Sequence, residues 1–74
     1  MGERLTVGEA ELLRLVIKAG GDVDLLDIEG YIDQRPEALE GCIDKGWLRP
    51  FSMRFSDYVE ITPAGRRRLG REAP

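Results

Sequence analysis

The chain has 74 residues, a formal net charge of −3, a single cysteine and no histidine. That length supports one domain near the lower limit of what folds alone, so we expect a single domain over residues 1–74 with frayed tails at 1–5 and 71–74. The hydrophobic fraction of 42% excludes a chain that is disordered for lack of apolar residues, and the longest apolar run, residues 15–17, is too short to span a membrane.

The first predicted element is a helix that begins after Thr6. Thr6 and Glu9 have the spacing of a capping box, in which the hydroxyl and the carboxylate each bond the other residue's backbone N–H. The apolar positions that follow recur at steps of three and four residues, which predicts one buried stripe made of Ala10, Leu13, Val16 and Ile17. Gly20 and Gly21 are expected to end this helix.

Two shorter helices are predicted next, after an extended segment at Val23. Asp24 is placed to cap a helix over residues 25–32, and Pro36 fits the first position of a third helix, where its missing N–H costs nothing. Gly46 is placed to end the third helix in the left-handed conformation. The inner face of that helix is predicted to consist of Leu39, Cys42 and Ile43.

The pattern then changes to that of a β-hairpin. Residues 47–51 and 58–61 are rich in aromatic and branched side chains and flank a polar connector at 52–57. Pro50 cannot donate to a strand ladder and therefore predicts an edge or a strand end. Thr62 and Pro63 are expected to open a last helix through residues 66–69, which Gly70 would stop.

Two short motifs in this region resemble known regulators. The stretch Gly46-Trp47-Leu48, between the third helix and a strand, resembles the junction before the wing in MarR-like and related small transcriptional regulators. The stretch Ile61-Thr62-Pro63-Ala64-Gly65-Arg66 is similar to the segment that leaves the second wing strand in the same families. The resemblance covers the chain from about Thr6 to Leu69 and implies a winged helix-turn-helix.

The expected fold is therefore α+β and mainly α: three core helices, a two-stranded wing and a short C-terminal helix. The resemblance implies a recognition helix at residues 36–46 and a wing tip at 51–57. The outer face of that helix departs from a DNA reader, because three carboxylates would stand near the phosphates of the duplex. That face is predicted to carry Glu37, Glu40, Gly41, Asp44 and Lys45.

The positive charge is concentrated in the second half of the chain. Residues 47–74 carry six arginines against three acids, whereas residues 1–46 carry five basic side chains against eleven acids. These arginines could clamp phosphates, or they could be solvated cations near a helix end, and a basic-to-acidic contact between two copies is a rival use. The candidate nucleic-acid contacts are Arg49, Arg54, Arg66, Arg67, Arg68 and Arg71.

Apolar residues alternate with polar ones along the predicted wing. Phe51 is expected to pack beneath the hairpin onto the core, whereas Met53 and Phe55 near the tip are harder to bury and favour contact with a protein. Trp47 is expected to be a core residue. The candidate protein-contact residues are Met53 and Phe55 at the tip and Glu37, Glu40 and Asp44 on the third helix.

The sequence offers little for catalysis. Histidine, the usual general base at neutral pH, is missing, and the acidic stretch Asp22 to Asp27 lacks the glycine and glutamate of a calcium loop. Cys42 lies on an apolar stripe and is expected to be core filler in a reducing, cytoplasmic protein. We therefore expect no enzyme activity, cofactor, metal, small-molecule substrate or membrane partner.

Two functions remain open from the sequence. One is a regulator-like domain that binds double-stranded DNA through its wing and C-terminal arginines, and this is placed first on the resemblance. The other is a winged helix that contacts a protein partner or a second copy through the acidic third helix or the apolar wing tip, and the distribution of charge favours it.

Overall fold

A computed structural model describes residues 4–72 of the chain, with side chains for residues 4–70. The described residues form a small α+β fold of four α-helices and one three-stranded antiparallel sheet. The predicted tails lie partly outside this range; within it, Leu5 packs against the core and the Arg4 carbonyl accepts a hydrogen bond from Lys45 at 2.6 Å. The elements are α1 (Val7–Lys18), β1 (Asp22–Asp24), α2 (Glu29–Gln34), α3 (Pro36–Asp44), β2 (Leu48–Met53), β3 (Ser56–Ile61) and α4 (Pro63–Glu72).

Helix α1 begins with the predicted capping box. The Glu9 N–H donates to the Thr6 hydroxyl at 3.1 Å, and the Thr6 N–H donates to the Glu9 carboxylate at 2.9 Å. The buried stripe differs from the prediction at two positions, because Ile17 is 37% exposed and Leu12, which was not predicted, is fully buried. The core therefore meets α1 on the side of Leu12, Leu13 and Val16.

The predicted second helix is split into two parts. Asp24 accepts from the Leu26 N–H as expected, but it caps a 3₁₀ helix over Leu25–Ile28, and α2 starts only afterwards. Ile28 has φ −119° and ψ 20°, which breaks the helical path between them. The single helix predicted over residues 25–32 is corrected accordingly.

Helix α3 has the predicted ends, with Pro36 in its first turn and Gly46 at φ 77° just beyond it. Its inner face was only partly predicted. Cys42 is buried, but Ala38 is the second fully packed residue, whereas Leu39 and Ile43 lie at the margin of the core and are partly buried.

The hairpin is longer and its turn is tighter than predicted. Strands β2 and β3 pair from Leu48 with Ile61 to Met53 with Ser56, so Arg54 and Phe55 alone form the turn, in place of a connector over residues 52–57. Strand β1 pairs with the other side of β3, which adds a third strand to the predicted two and uses the extended segment at Val23.

Pro50 lies within β2, which is an edge strand as its missing N–H requires. The pair that closes a two-residue hairpin is hydrogen-bonded, and hydrogen-bonded and non-bonded pairs alternate along the ladder. Counting back from Met53–Ser56 makes Pro50–Val59 a non-bonded pair, so the missing N–H faces the open edge. Pro50 thereby lowers the capacity of this edge to pair with another strand.

Helix α4 has the predicted start but not the predicted end. The Thr62 hydroxyl accepts from the Gly65 N–H at 3.0 Å and Pro63 occupies the first turn, while the helix runs through Gly70 to Glu72. Gly65 packs so closely that a Cβ there would lie 2.3 Å from the Trp47 carbonyl oxygen. Trp47 is only 4% exposed, as expected for a core residue.

Candidate functional site

The strand register separates the side chains of the sheet into two faces. Successive residues of a strand point to opposite faces, and directly paired residues of neighbouring strands share a face. The buried residues Val23, Leu48, Val59 and Ile61 mark the inner sheet face, which packs on the helices. The opposite surface, which we call the outer sheet face, comprises Asp22, Asp24, Arg49, Phe51, Met53, Ser56, Tyr58 and Glu60.

An aromatic pair lies at the centre of the outer sheet face. Phe51 and Tyr58 are cross-strand partners whose rings stack with centroids 5.2 Å apart and planes 12° from parallel. Both are partly buried, yet neither belongs to the core or packs against it. The prediction that Phe51 packs beneath the hairpin onto the core was therefore wrong. Side chains alternate between the two faces along β2, and Leu48 lies on the inner face, so Phe51, three residues later, lies on the outer face.

The apolar surface continues from this pair to the hairpin turn. Met53, two residues beyond Phe51 on the same face, is 56% exposed, and Phe55 in the turn is fully exposed. Arg54, the first turn residue, has φ 59°, a conformation that turns of this length require and that glycine or asparagine usually supplies. The tip therefore presents Met53 and Phe55 to solvent, as the sequence predicted.

Acidic residues surround the aromatic pair on the side of β1. Asp24 pairs with Tyr58 and Asp22 with Glu60, so both aspartates lie on the outer sheet face. Arg49 forms an ion pair with Glu60, to which its Nε donates at 2.7 Å. Tyr58 and the two aspartates were not among the predicted site residues; the charged Arg49, two positions before Phe51, was the signal that this side of β2 faces solvent.

The predicted arginines do not form one surface. Arg49 is engaged by Glu60, and Arg54 lies five residues further along the strand, about 17 Å away at the hairpin tip. Arg68 on α4 stands over the Trp47 ring, with its guanidinium carbon 6.0 Å from the centroid. Only Arg66 and Arg67 are adjacent, exposed candidates on α4, and the side chain of Arg71 lies outside the described residues.

The outer face of α3 is more acidic than predicted. Glu37, Glu40 and Asp44 are exposed, as expected, but Lys45 turns inward, and its Nζ lies 3.0 Å from both carboxylate oxygens of Glu9. Gly41 also faces this pair, since a Cβ there would meet the Glu9 carboxylate. Gly41 and Lys45, which were predicted to lie among the carboxylates on this outer face, therefore belong to the contact with α1.

The Glu9–Lys45 pair is structural. Glu9 is 3% exposed and its carboxylate accepts hydrogen bonds from the Thr6 N–H and from the Lys45 ammonium, which also lies 5.0 Å from the Trp47 ring centroid. One carboxylate thus caps α1 and fixes the C-terminal end of α3 against it. This pairing satisfies a buried charge, so Glu9 needs no catalytic explanation.

Cys42 and Tyr31 have shifted pKa values that also have structural causes. Burial, assisted by the nearby Glu9 carboxylate, raises the pKa of the Cys42 thiol to about 12, which suppresses the reactive thiolate. Burial and a hydrogen bond to Glu11 raise the pKa of Tyr31, whose hydroxyl also donates to the Gly8 carbonyl at 2.5 Å.

A shallow groove of about 360 Å³ runs beside Tyr31 along α1. Its lining is mixed, with basic side chains of α1 beside a carboxylate that already binds the Tyr31 hydroxyl. The lining residues are Glu11, Arg14, Leu15, Lys18 and Tyr31.

Within residues 4–72, no group of three or more histidine, cysteine or carboxylate side chains is placed to hold a metal ion, and no helix is long and apolar enough to cross a membrane. Comparison of the chain with protein-family models, with curated proteins and with solved structures finds no match. The outer sheet face combines the stacked Phe51 and Tyr58 rings with an exposed methionine.

Proposed function

We propose that this chain is a winged-helix domain that binds another protein, with the outer sheet face and the hairpin tip as its contact surface. The order of helices and strands and the two motifs that flank the hairpin support the winged-helix assignment. On that assignment, β2 and β3 form the wing and α3 takes the position of the recognition helix.

The single observation that carries the proposal is the apolar surface that continues from the Phe51–Tyr58 pair through Met53 to Phe55. Neither ring packs on the core, Met53 is 56% exposed, and Phe55 in the turn is fully exposed. Apolar side chains that lie contiguously on a surface and are rimmed by charge mark protein contact sites. Aromatic residues and methionine are also the types enriched in such interfaces.

The charge on α3 supports contact with protein over reading of a DNA groove. Glu37, Glu40 and Asp44 are exposed, and Lys45 is held by Glu9. A helix with three carboxylates and no free cation on its outer face is repelled by a duplex that carries one negative charge per roughly 1.7 Å. The arginines that would compensate are dispersed over the hairpin and α4.

Site-specific photo-cross-linking tests this proposal. With p-benzoyl-L-phenylalanine in place of Met53, we expect irradiation in cell extract to yield a discrete adduct that unlabelled wild-type protein competes away. The matched control carries the same group in place of Leu26, which is 70% exposed on the 3₁₀ helix and lies off the outer sheet face. Tyr58→Ser in the Met53-labelled protein should remove the adduct. Identical adducts from both positions, or an adduct that survives Tyr58→Ser, would contradict the proposal.

Nucleic-acid binding through α4 is the second candidate, favoured by the adjacent and exposed Arg66 and Arg67. If it holds, Arg66→Ala with Arg67→Ala lowers affinity for mixed-sequence duplex DNA and reduces the salt slope of log K by about 2. The control is Arg14→Ala with Lys18→Ala, which removes the same charge from α1. Fluorescence anisotropy at low salt measures both, and absence of binding by the wild-type chain excludes this function.

A further inference from the structure

The aromatic pair on the outer sheet face has a carboxylate beside it in the same cross-strand row. Asp24 on β1 is the direct partner of Tyr58 on β3, which is in turn the direct partner of Phe51 on β2. Neighbouring strands lie about 4.8 Å apart, so the carboxylate and the two rings are within reach of one ligand side chain. The row therefore combines two π faces with one formal negative charge.

The Asp24 carboxylate has an oxygen left for a ligand. Its Oδ1 accepts the Leu26 N–H at 2.9 Å and caps the 3₁₀ helix, which fixes the side chain in place. Among the hydrogen bonds of the described residues, Oδ2 is not used. Asp24 is thus a held carboxylate, next to Tyr58 in the strand register, with one oxygen that accepts no hydrogen bond from the described residues.

The charge around the aromatic pair is negative. Three carboxylates, those of Asp22, Asp24 and Glu60, stand on the outer sheet face against the one guanidinium of Arg49, which Glu60 already binds. Aromatic rings attract cations through their negative faces, and a guanidinium can stack on a ring while it bonds a carboxylate. Charge and aromaticity consequently select the same kind of ligand, a cationic side chain.

We propose that the outer sheet face binds an arginine side chain presented by a short basic and apolar segment of the partner protein. The guanidinium lies against the Phe51–Tyr58 pair and bonds Asp24, while an apolar neighbour of that arginine covers Met53. This inference rests on the proposed function and names the chemistry of the partner.

Helix α4 of a second copy fits this site poorly. Its exposed arginines, Arg66 and Arg67, are consecutive and therefore project about 100° apart. The apolar residue of that helix, Leu69, is 9% exposed and packed in the core, so α4 has no apolar group to cover Met53. Two outer sheet faces would also repel each other through their negative charges.

A pair of matched peptides tests the inference. The first is the capped peptide Gly-Leu-Arg-Leu-Arg-Leu-Gly, and the second replaces both arginines by citrulline, which keeps the shape and removes the charge. We expect the arginine peptide to bind about five- to tenfold more tightly at low salt, the combined effect of one cation–π contact and one partly exposed ion pair. Backbone NMR shifts should be confined to residues 22–24, 49–53 and 58–60.

Conservative variants separate the two components of recognition. Phe51→Leu keeps an apolar side chain and removes one ring, and Asp24→Asn keeps the helix cap and removes the charge. Each should weaken binding of the arginine peptide about two- to threefold, and Asp24→Asn should leave binding of the citrulline peptide unchanged. Glu40→Gln, an equal charge change on the exposed side of α3, serves as the control and should have no comparable effect.

The other outcomes overturn the inference in distinguishable ways. Equal binding of the two peptides at the outer sheet face would refute the choice of arginine and leave the proposed contact surface standing. Absence of shifts on that face with either peptide would refute both. Concentration-dependent self-association that the arginine peptide competes away, and that Arg67→Ala abolishes, would identify a second copy as the occupant instead.

Discussion

The two faces of the three-stranded sheet carry apolar residues for different reasons. On the inner face, Leu48 and Val59 are 2% and 0% exposed and join the residues of α1 in one core. On the outer face, Phe51 and Tyr58 stack on each other, and Met53 remains 56% exposed. The same strands thus hold residues that stabilise the fold and residues that the core does not need. This difference is the basis for proposing the outer face as the contact surface.

The largest expected effect is on the inner face. Leu48→Ala removes a fully packed side chain and leaves a cavity, and we expect it to lower the free energy of unfolding by about 3 kcal/mol. A domain of this size has only about 3–5 kcal/mol available from its core. Urea denaturation followed by circular dichroism should show a residual free energy of unfolding of about 0–2 kcal/mol at 25 °C. A loss comparable to that of an outer-face variant would remove the distinction between the faces.

Gly65→Ala tests the junction at the end of the inner face. The added Cβ would lie 2.3 Å from the Trp47 carbonyl oxygen and 2.9 Å from Ile61, so α4 must move away from the sheet. We expect a loss of about 2 kcal/mol in the free energy of unfolding, typical of an overpacked site. Gly70→Ala, where a Cβ meets nothing within 4 Å, is the control and should be neutral or stabilising. Equal stability of the two variants would show that α4 is not held as described.

Alkaline pH should weaken the core without involving the outer face. The pKa of Cys42 rises from 9.0 to about 12 on folding, so above pH 9 the unfolded chain releases the thiol proton while the folded chain retains it. The unfolded state then binds fewer protons, and the free energy of unfolding falls as pH rises, by at most about 1.4 kcal/mol per pH unit. Below pH 8 this contribution does not vary with pH.

The measurement is urea denaturation of the wild type and of Cys42→Ala between pH 8 and 10.5. Tyr31, whose pKa is also raised, contributes to both proteins and cancels in the difference. The wild type should therefore lose stability more steeply than Cys42→Ala. Parallel pH dependence would mean that the thiol is not buried in the folded chain.

The smallest expected effect on stability is on the outer face. Phe51→Ser removes the stacked pair but leaves every core residue in place, and we expect a loss of about 1 kcal/mol, the size of one aromatic pair. The same urea experiment measures it, with Leu48→Ala as the reference. A loss of about 3 kcal/mol or more would place Phe51 in the core and remove the basis for the proposed contact surface.

Local signals in the sequence predicted the helix ends well. The capping box at Thr6, the proline in the first turn of α3 and the glycine after it depend on a few neighbouring residues, and all three have the expected geometry. Gly70 was misjudged because glycine lowers helix propensity only modestly, and the packing of Leu69 outweighs that cost. The inward turn of Lys45 depends on Glu9, a residue 36 positions away, which no local pattern reveals.

The faces of the hairpin were harder to predict because they depend on the register. Trp47 and Leu48 are both buried, so the start of β2 has no clear alternation, and the turn lacks the Asn-Gly or Asp-Gly signal that would have fixed its length. With a turn of unknown length, Phe51 could be assigned to either face. The exposed tip at Met53 and Phe55 was predictable because few residues near a turn can reach a core.

The most direct test of the central claim is the solvent accessibility of individual side chains, measured by relaxation of their protons in the presence of a soluble paramagnetic probe. The Met53 methyl and the Phe55 ring should relax strongly, the Phe51 and Tyr58 rings to an intermediate degree, and the methyl groups of Leu48 and Val59 hardly at all. Protection of the Phe51 ring equal to that of Leu48 would contradict the account, because Phe51 would then be a core residue and the outer sheet face would lose its centre.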